Sequence, residues 1–76
     1  MNQNEIADLI ERFLNGTGDE WEWDDFISMR LTDPGLESIR VRCAKLPLEF
    51  PPSRPNEYCG DDGRIVLKQL VKMLRA

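Results

Sequence analysis

Apolar residues near the start of the chain form one stripe. Ile6, Leu9, Ile10, Phe13 and Leu14 fall at i, i+3, i+4, i+7 and i+8, the spacing of a single face of a 3.6-residue helix. Asn4 offers a side-chain oxygen for the free N–H groups of a first turn, and Gly16 offers a stop, so the pattern predicts a helix over 4–15. A second start follows at once. Thr17 and Glu20 have the capping-box spacing, and Trp23, Phe26 and Ile27 then share a face, which predicts a helix over 18–29. Trp21-Glu22-Trp23 alternates as a strand would, but Asp24-Asp25 breaks the alternation, and acids are poor strand residues.

Asp33 before Pro34 gives the third start, because Asp accepts N–H bonds at an N-cap and Pro is pre-set for the first helical position. Leu36, Ile39, Cys43 and Leu46 make its apolar seam, and Pro47 is read as its end, which predicts a helix over 34–46. Residues 47–60 hold four of the five prolines and are predicted as a loop that straps Leu48, Phe50 and Tyr58 over the helices. Leu67, Leu70, Val71 and Leu74 form the last stripe, with Arg64, Lys68, Lys72 and Arg75 on the wet face, over 62–75. The expected architecture is a single all-α domain over 1–76: four short helices with a Pro-rich loop before the last.

Length and composition then narrow the chemistry. A chain of 76 residues buries only about 60% of its unfolded surface, enough for one core and too little for a large enclosed active site. That argues against an enzyme. The sequence has no His, which removes the usual general base and the commonest metal ligand together. The carboxylate pairs Asp24-Asp25 and Asp61-Asp62 lack the spaced loop of calcium sites, so neither a metal nor another cofactor is expected. Cys43 sits on an apolar seam and reads as a buried small hydrophobe, while Cys59, beside Tyr58 and Gly60, reads as the more accessible thiol. No His or cationic cluster in sequence activates either one. The N-terminal segment carries acids where an export signal would carry bases, and no apolar run reaches the length of a membrane span. The expected compartment is the cytoplasm, with reduced thiols.

Charge is uneven along the chain. Residues 1–25 carry eight acids and one base, whereas residues 51–76 carry three acids and five bases, within a net charge of -4. An acidic balance argues against nucleic-acid binding, which needs Lys and Arg to displace counterions. A DNA-binding face built from Arg40, Arg42, Lys68 and Lys72 is the alternative on that side. The acidic segment Asp19, Glu20, Glu22, Asp24 and Asp25 surrounds two tryptophans. One reading is a surface for a protein partner with a basic face, in which Trp is a rigid anchor and the carboxylates pair with Lys or Arg. The other is local: acids favour the first turn of a helix, and Trp buries area cheaply in a small domain. The first reading points to Trp21, Glu22 and Asp25, with Trp23 in the core and Trp21 partly exposed. The loop adds Pro52-Ser53-Arg54-Pro55, a P-x-x-P match with a base, so Pro52, Arg54 and Tyr58 join the candidate partner surface.

Two resemblances accompany this reading. Gly35-Leu36-Glu37-Ser38-Ile39, followed by L-P-L-E-F at 46–50, resembles the acyl and peptidyl carrier proteins. That resemblance implies a phosphopantetheine arm on Ser38. The carriers place this serine at a helix start and present acids after it, whereas Arg40, Arg42 and Lys45 follow here. The wider pattern of F-L-N-G-T-G, W-E-W-D-D-F, D-P-G-L, I-R-V-R-C and F-P-P resembles a set of small bacterial hypothetical proteins. It implies a free-standing bacterial protein and transfers no residue role. The reading carried forward is a non-enzymatic protein-interaction module, such as an inhibitor, immunity-type or regulatory partner.

Overall fold

A computed structural model describes residues 1–19 and 21–76. Helices α1 (Gln3–Asn15), α2 (Glu22–Ser28), α3 (Pro34–Glu49) and α4 (Asp61–Arg75) make an all-α domain with no strand among the described residues. No helix among them is long and apolar enough to cross a membrane.

The first helix starts on Asn2 rather than Asn4. Asn2 Oδ1 accepts from the Glu5 N–H at 2.8 Å while Glu5 Oε1 accepts from the Asn2 N–H at 2.9 Å, a reciprocal box that Asn4, with Ala7 three residues on, could not form. Gly16 ends the helix in the left-handed conformation at φ 70°, the conformation for which a residue without Cβ is suited. Helix α2 is shorter than the predicted 18–29. The Thr17–Glu20 capping box lies outside the described residues, because it needs Glu20.

Helix α3 begins where Asp33 and Pro34 place it, with Asp33 Oδ1 accepting from Gly35 at 2.9 Å and Leu36 at 3.1 Å. It does not stop at 46. It runs through Pro47 to Glu49. Proline has no N–H to donate to the carbonyl four residues back, here that of Cys43, and its ring crowds that oxygen. The missing donor comes from far along the chain: the Tyr58 hydroxyl donates to the Cys43 carbonyl at 2.8 Å. The helix breaks only before Pro51-Pro52. Leu48 therefore rides on the outer face of α3, 82% exposed, instead of being strapped over the core. Phe50 and Tyr58 do pack against the core.

The loop is accordingly 50–60, not 47–60. Its ends meet where the Gly60 N–H donates to the Phe50 carbonyl at 2.7 Å, closing the segment like the neck of an Ω-loop. Helix α4 starts at Asp61, within a residue of the sequence reading. It lies antiparallel to α1: Arg64 in its first turn donates to the Leu14 carbonyl at 2.8 Å, and Arg75 at its end reaches Asp8 and Glu11. The core gathers Ile6, Leu9 and Ile10 from α1, Trp23 and Phe26 from α2, Cys43 and Leu46 from α3, and Leu67, Leu70 and Leu74 from α4.

Candidate functional site

The acidic tryptophan segment is built on the end of α1. Past Gly16 the Thr17 N–H returns to the Arg12 carbonyl at 2.9 Å, which brings residues 17–19 back alongside that helix. The Arg12 guanidinium then grips Glu22 in a fork, with Nε 3.1 Å from Oε1 and 3.2 Å from Oε2. This bond holds the Glu22 carboxyl below its ordinary pKa and raises that of Arg12, so both stay charged. Asp19 Oδ1 accepts from the Trp21 N–H at 2.9 Å, and the Asp19 carbonyl accepts from the Glu22 N–H at 3.1 Å. The turn so fixed points Trp21 outward, 62% exposed.

Two residues on, roughly 200° around a helix, Trp23 faces inward as the sequence predicts. Its ring stacks on Phe13 with centroids 4.0 Å apart, and Tyr58 meets both edge-on at 5.4 and 5.5 Å. The Trp23 Nε1 is buried without an acceptor among the described residues. A cleft of about 210 Å³ beside this cluster is lined by Arg12, Phe13, Glu22, Trp23, Asp24 and Tyr58 among others. Asp24 and Asp25 are exposed, and no cation pairs with either among the described residues.

The loop residues are placed differently from the extended ligand that P-x-x-P suggests. The chain bends at Ser53-Arg54 and turns at Pro55-Asn56, with Asn56 in the left-handed region at φ 71°. Glu57 causes the bend: its carboxylate accepts from the Arg54 N–H at 3.1 Å and from the guanidinium at 3.1 and 2.9 Å. Asp61 takes the same guanidinium at 3.2 Å. Pro52 and Arg54 are exposed, but Arg54 is engaged, and Tyr58 is half-buried with its hydroxyl committed to Cys43. Of the six candidate residues, Glu22 and Tyr58 line one cleft and Glu22 and Asp25 a second, while Trp21, Pro52 and Arg54 stand at the surface outside both.

Cys59 is buried rather than accessible, 2% exposed. It tucks against Gly63 in the first turn of α4, where any side chain would collide with it. Burial pushes the Cys43 thiol up to about 12 and raises Cys59 as well, the opposite direction from a reactive thiolate. Ser38 is exposed in the second turn of α3. Arg40 is held by Glu37 and by the Ile27 carbonyl, and Arg42 makes an exposed pair with Glu49.

Arg12 and Phe13, which position Glu22 and Trp23, escape sequence reasoning because they read as ordinary residues of the α1 pattern. The two-residue step from Gly16 to Gly18 is the available signal that the chain doubles back there. No protein-family model, curated protein or solved structure matches the chain.

Proposed function

We propose that the protein is a non-enzymatic interaction module that binds a partner protein with a basic surface through Trp21 and the carboxylates beside it, as an inhibitor, immunity-type or regulatory partner would. The observation that carries this reading is Trp21, 62% exposed on a segment whose backbone is pinned by Asp19 and by the Arg12–Glu22 fork. An exposed indole on a fixed turn has little conformational freedom left to lose on binding, which is what makes Trp an effective anchor. Asp24 and Asp25 follow it in sequence, three and four residues on, and hold no cation of their own among the described residues, so they are available to a partner's Lys or Arg.

The test is co-purification from the native host at low salt and at about 1 M salt, where the screening length falls to about 3 Å. Tagged wild type is compared with Trp21→Ala and Asp25→Asn. A stoichiometric protein that leaves at high salt, and whose recovery falls at least tenfold with Trp21→Ala, supports the reading. Equal recovery by wild type and Trp21→Ala, with unchanged helical circular dichroism, would overturn it.

A further inference from the structure

The chain has three methionines, and all three are exposed: Met1 46%, Met29 45% and Met73 63%. They converge on two adjoining clefts. One, of about 410 Å³, runs between α1 and α2 with Met1 and Met29 at its lip and the core residues Leu9 and Phe26 among its lining. The other, of about 540 Å³, lies where α1 and α3 begin and α4 ends, with Met1 and Met73 at its lip and Leu36 and Ile39 along it. Met1 lines both, so they share a ridge. The charged side chains lining them are Asp19, Glu22 and Asp25 in the first and Asp33 in the second, all acidic.

We infer that these clefts are one docking groove, and that its occupant is an amphipathic basic helix of the partner protein. Three features select that chemistry. The charged side chains that line the clefts are carboxylates, of which Glu22 is already paired with Arg12 and Asp33 already caps α3, so the part of the rim left for a partner is Asp19 and Asp25 beside Met29. It rewards apolar side chains set with Lys or Arg toward α2 and away from the Met1 amino group. Methionine is unbranched and polarizable, so it moulds to a helix face without demanding one side-chain shape. A helix presents its anchors on one face at i, i+3, i+4 and i+7, so one helix can fill two pockets across a ridge. The inference rests on the proposed binding of a basic partner and adds to it the form of that partner and a second area of contact, beyond Trp21.

The probe is a synthetic 18-residue helix of Leu and Lys with its Leu on one face. Its controls are a peptide of identical composition in scrambled order and a Leu/Glu helix. Binding is read by anisotropy of labelled peptide and, with no substitution at all, by the ¹³C-methyl resonances of the methionines. The expected result is micromolar binding of the Leu/Lys helix, at least tenfold weaker binding of both controls, and shifts at the Met29 and Met73 methyls. Met29→Gln with Met73→Gln, both at exposed positions, should weaken binding at least tenfold, and Asp25→Asn should reduce its salt dependence.

Equal binding of the scrambled peptide, absent Met methyl shifts, or saturation by a second copy of this chain would overturn the groove. Binding that is lost with Trp21→Ala but indifferent to the methionine pair would overturn the groove and leave the Trp21 surface standing. Binding lost with the methionine pair but indifferent to Trp21→Ala would support the groove and count against the tryptophan anchor.

Discussion

Replacing Tyr58 with Phe isolates the bond that lets α3 run through a proline. The ring keeps its edge contacts with Phe13 and Trp23, and only the hydroxyl that donates to the Cys43 carbonyl at 2.8 Å is lost. Cys43 is buried, and Pro47 has no N–H to offer that carbonyl, so the oxygen is left without its partner. An unsatisfied buried acceptor costs about 1–3 kcal/mol. Tyr58 is half-buried and water can approach from its side, which places the expected loss near 1.5 kcal/mol. In a domain of this size that lowers Tm by roughly 6–12 °C. The control is Pro47→Ala, which restores an N–H in position to donate to Cys43. In that background Tyr58→Phe should cost no more than about 0.5 kcal/mol, giving a coupling near 1 kcal/mol between residues eleven apart in sequence. Urea unfolding followed at 222 nm on the four proteins measures the cycle. Equal costs of Tyr58→Phe in the two backgrounds would refute the argument that Tyr58 stands in for the missing helix donor.

Acid titration should expose Glu37, whose carboxyl is held down to about 2, from the ordinary 4.5, by hydrogen bonds from Arg40 and from the Leu31 N–H. A depressed pKa contributes stability that is fully present above 4.5 and is lost as pH falls toward 2; Glu37→Gln should be less stable at neutral pH and flatten the loss over that window, and an unchanged slope would count against the ion pair. Both thiols should resist Ellman's reagent at pH 8 in the folded protein and react together in about 6 M guanidinium, because burial raises both pKa values; one rapidly reacting thiol in the native state would show Cys59 to be accessible. Gly63→Ala puts a methyl 2.7 Å from the Cys59 sulfur and 3.1 Å from its Cβ. Overpacking of about 1–3 kcal/mol exceeds the gain of up to about 1 kcal/mol in helix propensity, so the variant should lose about 1 kcal/mol and recover most of it when Cys59→Ala removes the sulfur; a stabilised single variant would sink this account.

The parts of the fold legible in sequence are those set by local rules. The stripes of α1 and α4 follow a clean 3.6-residue period, and Gly16 at the end of α1 and Asp33-Pro34 at the start of α3 are residues whose backbone chemistry admits few alternatives. The same period separates Trp21 from Trp23. Where the structure departs from the sequence pattern, the cause is non-local. Pro47 is a sound helix terminator by local rules, and it fails because a hydroxyl from Tyr58 supplies the missing donor. Cys59 looks open beside glycine and tyrosine, and it is closed because Gly63, a turn into the next helix, leaves room for it. The bend of Pro52-Ser53-Arg54-Pro55 depends on Glu57 turning back. Asn2 is the exception: its capping box with Glu5 is written in adjacent residues, and the reciprocity of the pair decides for it over Asn4.

Charge pairing explains why the acidic end of the chain is only partly neutralised by the fold. Among the described residues Arg75 donates to Asp8 and Glu11, Arg12 to Glu22, Arg40 to Glu37, Arg42 to Glu49, Arg54 to Glu57 and Asp61, and Arg64 to the Leu14 carbonyl. Arg75 of α4 thus meets two acids of α1, which cancels part of the contrast between the two ends of the sequence. None of these bonds reaches Asp24, Asp25 or Asp33. Exposed pairs contribute only about 0–1 kcal/mol each to stability, so their larger consequence is selective. By occupying the guanidiniums elsewhere, they leave the Asp24 and Asp25 carboxylates without a cation among the described residues, on the side of α2 that carries Met29 and next to Trp21. Under the proposed function, a surface left negative in this way would draw a basic partner toward the apolar ground it borders and turn away a second copy of the same face.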